Sequence, residues 1–376
     1  MIVPVESRAD LVAFIDLPGS LYRSAPGWTP THRPSDLRFH DPVCGPFFTF
    51  GAARSFLARD GRRLRGRITA HVNHAHNTHH GAAVGGFGFL DAEPDSALVR
   101  SLLEAAEEWL AAQGVTEVWG PLEYCLYDRV GLQVEGFDRP LPMSAAYHAP
   151  GICSILEAAG YRKKRDALTF AVPTPQQVPE FICQVVDRRP IPGLAIRRYE
   201  PNRREDEART VARIIDRAFD GNWLHFPFPE ALMRFHAQEM APILQPVNVL
   251  FAEVHGEPIG LVVVVPDLGP LLRATGGRLI PWGLPGLWRQ VHTPRELLVV
   301  VLAVAPEYHS LGVVGHLMAA MVRTGIQRRC RRVCTTFVDE GNRPMVNAFR
   351  RLNGRVYARH RVFAKSLAAV SATPGS

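Results

Sequence analysis

Two closely spaced glycines stand between an apolar segment and a helical one in the second half of this 376-residue chain. The segment Leu297–Val304 is almost wholly apolar and rich in valine, which predicts a strand covered on both faces. Gly312 and Gly315 follow it, and apolar residues at helical spacing come next. A glycine turn that enters a helix leaves backbone N–H groups unpaired at the positive helix end. The spacing is therefore typical of a phosphate-binding turn or of an ordinary strand–loop–helix connection.

A second group of chemically capable residues is the histidine-rich stretch from His71 to His80. Its spacing, H-x2-H-x-H-x2-H-H, could place several imidazoles on one face of a hairpin, as a metal site requires. No carboxylate or cysteine lies nearby to complete such a site. Cys330 and Cys334 are close in sequence, but a C-x3-C pair without histidine partners is a weak metal motif. We therefore expect a polar hairpin tip or pocket wall and predict no metal site.

Length and composition narrow the classes of protein that fit. Hydrophobic residues make up 47% of the chain and charged residues 21%, as in soluble globular proteins, and the length predicts two domains. The net charge of +7 comes from scattered arginine runs rather than a basic stripe with interleaved aromatics, so we expect no nucleic-acid partner. A positive surface also suits an anionic cofactor or an acidic carrier protein.

The cellular setting follows from what the sequence lacks. No apolar run reaches the length of a membrane span, so we expect no membrane partner. The N-terminal residues show no basic region followed by an apolar stretch and a cleavage site. The six cysteines are scattered, as is usual for reduced thiols. Together these observations predict a cytoplasmic protein.

The chain repeats itself. A glycine in a predicted strand–turn–strand and a glycine after a predicted helix are separated by 99 positions in the first half, Gly61 and Gly160. The corresponding pair in the second half, Gly256 and Gly354, is separated by 98 positions. Two matches at nearly equal spacing indicate a duplicated unit.

Between these landmarks each half carries one long helix and one more strand. The predicted helices are Ser96–Gln113 and Val314–Arg329, and the predicted strands that follow them are Val115–Trp119 and Arg332–Val338. The proline-rich residues 173–192 predict a linker between domains at 1–172 and 193–370. We therefore predict an α+β fold of two units, each a mixed and mostly antiparallel sheet flanked by helices in an α/β/α sandwich.

The second half resembles the GNAT superfamily of acyl-CoA-dependent N-acyltransferases. The resemblance rests on the order of the predicted elements and on two segments, VAPEYHSLGVVGHLM and VDEGNRPMVNAFRRLNGRVYARHRVFAK. The first segment is similar to the acyl-CoA loop, and the second to the last helix and strand of that fold. Over residues 1–365 the chain also resembles a bacterial group of tandem GNAT-like proteins with poorly defined substrates, in segments such as GRITAHVNHAHNTHH and NWLHFPFPE.

Three residues depart from the family pattern. His309 stands where arginine or glutamine is usual, and Val314 stands where the final glycine or alanine of the loop is usual. In many GNAT enzymes a tyrosine on the last helix protonates the departing thiolate, and the matching residue here is Phe349. A phenylalanine has no proton to donate.

The first half departs further from the pattern. After its central strand, Gly85–Leu90, there is no glycine turn, and Asp91, Glu93 and Asp95 crowd the place that a phosphate would occupy. Acidic side chains at a helix N-terminus replace an anion rather than bind one. We therefore predict a pseudo-GNAT domain without an acyl-CoA loop, which supports the second domain or shapes a substrate pocket.

The resemblance implies an acyl transfer from acetyl-CoA or another acyl-CoA, or from phosphopantetheine on an acyl carrier protein, to a small-molecule amine. It implies that the donor is held by the end of the central strand, the glycine loop and the head of the last helix: Leu302, Val304, His309, Gly312, Val313, Val314, Gly315 and Asn342. For the catalytic base the candidates are His225, Glu230 and Asp267. Either a monomer or a homodimer fits.

Two other functions stay open on the sequence alone. The departures at His309, Val314 and Phe349 also fit a non-catalytic binding or structural protein that kept the fold. The same cleft could instead serve a different acyl chemistry in a biosynthetic pathway.

Overall fold

The computed structural model describes residues 1–188, 190–280 and 283–367. The strands are β1 (Ile2–Pro4), β2 (Gly51–Asp60), β3 (Arg63–Asn73), β4 (Val84–Ala92), β5 (Glu117–Gly120), β6 (Leu132–Glu135), β7 (Arg162–Pro173), β8 (Leu194–Arg198), β9 (Val249–Val254), β10 (Glu257–Pro266), β11 (Glu296–Val304), β12 (Arg332–Thr335), β13 (Val338–Asp339) and β14 (Arg355–Ser366). The helices are α1 (Arg8–Tyr22), α2 (Arg33–Phe39), α3 (His74–His80), α4 (Ser96–Ala112), α5 (Ile152–Ala158), α6 (Glu180–Arg188), α7 (Arg204–Phe219), α8 (Glu230–Met240), α9 (Gly269–Thr275), α10 (Leu284–His292), α11 (Val313–Gln327) and α12 (Arg343–Arg351).

The chain divides into two compact units. The first contains Met1–Leu168, Gly276–Arg278 and the described residues from Ala358 onward, and the second contains Thr169–Thr275 and Leu279–Tyr357. The sequence-based division at 172 and 193 assigned the whole C-terminal strand to the second domain, whereas its contacts group the strand residues from Ala358 onward with the first unit. The predicted domain end at residue 370 and residue 189 of the predicted linker lie outside the described residues.

The first unit is a sheet with helices on both faces. Its strands run in the order β1-β2-β3-β4-β5-β14, and only the β4–β5 pair is parallel. Because side chains alternate along a strand, Ile68 and Ala70 of β3 point to one face, where they share a core with Leu102 of α4. Arg67 points to the other face and lies over the ring of Phe14 in α1, 4.6 Å from its centroid.

The second unit repeats this plan. Its strands run in the order β12-β11-β10-β9-β8, and only the β11–β12 pair is parallel. Val262 of β10 packs against Leu317 of α11 on one face. On the other face Arg197 covers Phe251 and pairs with Glu207 of α7 at 2.7 Å. The predicted α+β class with two similar, mostly antiparallel units is confirmed.

Two of the expected local structures differ in the fold. The predicted strand Arg332–Val338 is interrupted after Thr335 and resumes at Val338 as β13. The histidine-rich stretch adds a helix to the expected tip: His71 lies in β3, and His74–His80 form α3, which connects β3 to its antiparallel neighbour β4 and begins where Asn73 accepts the His76 N–H at 2.9 Å. Among the described residues, no group of three or more His, Cys, Asp or Glu side chains is arranged to hold a metal ion.

Candidate active site

The central strand of the second unit carries a bulge. On β11, Val299 faces Val264 of β10 and Val301 faces Val263, so Val300 is an extra residue on β11. The parallel ladder to β12 covers only Glu296 to Val299 of β11 in the described chain. Beyond it the Thr336 hydroxyl donates to the Val300 carbonyl at 3.1 Å. The bulge therefore lies where β11 and β12 stop pairing.

The strand beyond the bulge presents backbone N–H groups on the side that β12 has left. Ala305 donates its N–H to Ile259 of the neighbouring strand at 2.8 Å. Since N–H groups alternate in direction along an antiparallel strand, the N–H groups of Leu302 and Val304 point away from β10. A backbone N–H group that points to this side can donate to an oxygen on which negative charge develops.

The turn after β11 prepares a helix N-terminus. Pro306–Leu311 form a 3-10 helix, and Gly312 adopts φ 90° before α11 begins at Val313. No side chain caps this helix among the described residues. Because the first N–H groups of a helix have no partner within it, those at Val313 and Val314 lie at the positive end of the helix dipole. Gly312 supplies the left-handed conformation that L-residues rarely adopt.

The two unusual loop residues are turned away from this helix end by specific contacts. The His309 Nε2–H donates to the Val304 carbonyl at 2.8 Å, so the imidazole closes the turn onto β11. The Val314 side chain is half-buried and packs against the apolar core of the second unit. Gly315 is required by packing, because a Cβ there would lie 2.7 Å from Val185 of α6. Packing therefore explains why Val314 and Gly315 occupy these two positions.

The corresponding helix of the first unit is closed by its own chain. Asp95 accepts the N–H groups of Ala97 and Leu98 at 2.9 and 3.1 Å. Arg65 then pairs with Asp95 at 3.0 Å and with Glu93 at 2.9 Å. These hydrogen bonds and the paired arginine lower the pKa of Asp95. A carboxylate therefore already occupies the place of an anion at α4, unlike at α11.

The three candidate bases lie in different surroundings. His225 is buried, with Nε2 3.7 Å from Asp216 Oδ1. Glu230 begins α8 on the surface and pairs with Arg234 at 2.6 Å. Asp267 is buried and accepts the Gly269 N–H at 3.0 Å at the start of α9.

The last helix places two further residues. Asn342 is exposed and caps α12 by accepting the Met345 N–H at 3.2 Å. Phe349 is buried, and its ring stacks on Phe170 with centroids 5.5 Å apart. A phenylalanine therefore fills the position of the expected tyrosine as part of the core.

The sequence did not reveal Thr336, Trp223 or Arg217. Thr336 fixes the bulged strand through its hydroxyl, and the Trp223 indole donates to Asp339 at 3.2 Å beside β13. Arg217 of α7 pairs with Glu307 of the 3-10 turn. For Thr336 the sequence offered only the signal of a threonine directly after a short strand. The contacts of Trp223 and Arg217 join distant parts of the chain, so no local pattern indicates them.

The first unit has a cavity of its own, about 290 Å³ in volume. Two buried ion pairs line it, Arg67–Asp91 at 2.7 Å and Arg129–Glu123 at 2.6 Å. Burial raises the pKa of Glu123 although Arg129 acts in the opposite direction. The lining is therefore strongly polar, which fits a polar ligand better than a hydrocarbon chain.

Comparisons with known proteins bear on both halves. Residues 209–354 match the model of the Acetyltransferase (GNAT) family. The whole chain is similar to the bacterial ceramide synthase of Caulobacter vibrioides (strain NA1000 / CB15N). The two are 29% identical over 374 residues, which cover 97% of each chain. Protein YghO of Escherichia coli (strain K12) is 25% identical over 371 residues, 96% of this chain and 94% of its own.

Solved structures share the two-unit fold. A tandem GNAT protein from the clavulanic acid biosynthesis pathway superimposes with a TM-score of 0.58 at 15% identity, covering 97% of this chain and 98% of that one. A GCN5-related N-acetyltransferase from Sphaerobacter thermophilus gives a TM-score of 0.53 at 15% identity, covering 97% and 95%. At this identity the likeness concerns the fold.

Proposed function

Because this chain belongs to the GNAT superfamily, in its tandem form, we propose that it transfers an acyl group from acyl-CoA to an amine. The observation that carries the proposal is that the second unit has two sets of backbone N–H groups without a partner in their own strand or helix. The bulged end of β11 presents N–H groups at Leu302 and Val304, and the uncapped start of α11 follows within ten residues.

The acyl-CoA supplies a thioester carbonyl that is already activated toward attack by an amine. One of the Leu302 and Val304 N–H groups would donate to the thioester carbonyl oxygen, where negative charge develops during the attack, and the other, two residues along the strand, would face the pantetheine arm. The N–H groups of Gly312 to Val314 would face the diphosphate, while the Gly315 N–H donates to the Gly312 carbonyl at 2.9 Å and so begins the hydrogen bonds of the helix. His309 would hold the loop against Val304, and Asn342 would flank the pantetheine arm from α12.

A base must take the proton of the amine as the amide bond forms and the thiolate leaves. Among the three candidates we favour His225, since Glu230 is engaged with Arg234 on the surface and Asp267 holds the start of α9. His225 is buried beside Asp216, a carboxylate that can orient an imidazole. The proton would end on the thiolate, so that the products are an amide and free CoA.

For the acceptor we propose the primary amine of a long-chain amino alcohol, and for the donor a long-chain acyl-CoA. The support is the Caulobacter relative, which is named a ceramide synthase and matches 97% of both chains. A ceramide is the amide of such an amino alcohol with a fatty acid. An acyl carrier protein as donor, a cytoplasmic site of reaction and the monomer or homodimer stay predictions.

The test is product analysis with the purified chain. Palmitoyl-CoA, acetyl-CoA or a palmitoylated carrier protein is incubated with sphinganine, and mass spectrometry is used to find the N-acyl product while thiol release is measured. We expect amide and free thiol in equal amounts with the long-chain donor. His225→Gln should lower kcat, because the glutamine cannot take the proton of the amine.

A second candidate function has one observation in its favour. Phe349, buried against Phe170, provides no proton for a departing thiolate. A chain that binds acyl-CoA by calorimetry but acylates none of these amines would be a GNAT-fold binding protein or an enzyme of different acyl chemistry. Products detected in a cell extract supplied with labelled acyl-CoA would distinguish those two.

A further inference from the structure

The helix α10 exposes apolar side chains. In the described part of the chain, large hydrophobic side chains with an exposed fraction above about a third are few, and three of them lie within nine residues of one another in the sequence. They are Ile280 (74% exposed), Leu284 (49%) and Trp288 (65%). Single exposed hydrophobic residues are ordinary on protein surfaces, but a cluster marks an interaction surface.

The orientation of α10 is fixed by its inward contacts. Gly286 lies against Leu271 of α9, where a Cβ would come within 2.6 Å of the leucine. Gln290, four positions after Gly286 and so on the same side of the helix, donates to the Asp267 carbonyl at 2.7 Å. Leu284 and Trp288, four positions apart, therefore share the outward face.

The surroundings of this face are basic. Residues 268–295 contain four arginines and neither aspartate nor glutamate. Three of these arginines, Arg278, Arg289 and Arg295, are exposed. His292 is exposed as well, and its ring stacks on Trp288 with centroids 4.7 Å apart. An apolar face with a tryptophan and flanking cations has the composition of an interfacial helix.

We propose that this face, defined by Ile280, Leu284, Trp288, Arg289 and Arg295, docks onto the surface of an anionic phospholipid bilayer. The indole ring prefers the boundary between head groups and acyl chains, and leucine and isoleucine enter it with little polar cost. The arginines attract acidic head groups, and no carboxylate within the segment opposes them.

Docking of this kind needs no spanning segment. In the described chain no helix has the length and hydropathy that a bilayer crossing demands. The sequence-based expectation of no membrane partner considered only spanning segments, and a surface helix is a different mode of attachment. The docking proposal stands independently of the proposed acyl transfer, although long-chain substrates would give it a use.

The test is co-sedimentation of the full chain with extruded vesicles. We expect binding to vesicles of equimolar phosphatidylcholine and phosphatidylglycerol, and loss of binding in about 0.5 M NaCl. The double variant Leu284→Ser, Trp288→Ser should lower the partition coefficient by about tenfold or more. Val43→Ser, at a site that is 95% exposed, is the matched apolar control and should bind as the wild type.

The electrostatic part has its own variants. Arg289→Gln with Arg295→Gln should weaken binding to the acidic vesicles and leave the weak binding to pure phosphatidylcholine unchanged, whereas Arg62→Gln, exposed in a hairpin turn, should change neither. Wild-type protein that stays in the supernatant, or a double serine variant that binds like the wild type, overturns the proposal.

A second copy of the chain is the competing occupant. If analytical ultracentrifugation shows a wild-type dimer that the double serine variant converts to a monomer, with vesicle binding unchanged, the face joins protomers and the membrane proposal fails. Acyl transfer from palmitoyl-CoA to sphinganine in vesicle-free solution reports the proposed enzymatic function separately, so either proposal can fail alone.

Discussion

The left-handed conformation of Gly312 gives a direct test of the acyl-CoA loop. At φ 90° an alanine is strained by about 1–2 kcal/mol, because its Cβ approaches the following carbonyl oxygen. If the free Gly312→Ala loop relaxes to another conformation, donor binding must restore the strained one. Since 1.4 kcal/mol is tenfold in an equilibrium constant, the Kd for acetyl-CoA should rise by up to about five- to thirtyfold.

The matched control is Gly81→Ala in the first unit. Gly81 has φ 60° at the end of α3, and a Cβ there meets nothing within 4 Å. That variant should lose a similar amount of stability in thermal unfolding without any change in acetyl-CoA affinity measured by calorimetry. If Gly312→Ala binds acetyl-CoA as tightly as the wild type while its Tm falls, the loop N–H groups do not hold the donor.

Three further predictions concern single side chains. Phe349→Tyr should not raise kcat, and it should cost about 1–3 kcal/mol in urea unfolding because its hydroxyl would enter the apolar contact with Phe170; a faster enzyme would contradict this. Arg67→Ala should lower the free energy of unfolding by about 3–5 kcal/mol, because it leaves the buried Asp91 unpaired. The control Arg63→Ala breaks an exposed pair with Glu93 and should lower it by at most about 1 kcal/mol. Equal losses in urea unfolding would refute the role of burial. Burial lowers the pKa of His360 to about 4, so the folded chain holds it neutral while the unfolded chain protonates it near pH 6.5. Stability from this group is therefore lost as pH falls below the unfolded pKa. Between about pH 7 and pH 5 the unfolding free energy of the wild type should fall by about 2 kcal/mol relative to that of His360→Gln. A difference between the two proteins that is the same at both pH values in urea unfolding would contradict the assignment.

Much of the fold was accessible from local patterns. The valine-rich segment before Pro306, the helix after Gly312 and the hairpin glycines Gly61 and Gly256 all lie where the sequence predicted them. Asn353 takes the left-handed conformation at the end of α12, with φ 59°, as asparagine can. Each of these features depends on residues within one turn or one strand, so the sequence alone was sufficient.

The candidate site was only partly accessible in the same way. The glycine loop could be named from its local spacing, and Leu302 and Val304 were implied by the resemblance to the GNAT superfamily. The three candidate bases could not be ranked, since burial and partners decide between them: Asp216 beside His225, Arg234 beside Glu230. The contacts of Trp223 and Thr336 each connect segments tens of residues apart and leave no pattern in the sequence.

The sequence by itself determined the repeated α+β plan, the uncapped glycine turn in one half and the acidic helix start in the other. Tertiary structure decided the direction of the N–H groups on β11, because that depends on the register with β10 and on the extra residue Val300. It also decided where the C-terminal strand belongs. Phe363 pairs with Gly120 of β5, and the buried Asp166 accepts hydrogen bonds from Arg361, so the part of β14 from Ala358 onward completes the first unit. Backbone pairing between distant strands and the burial of a charge both require partners that only the folded chain brings together.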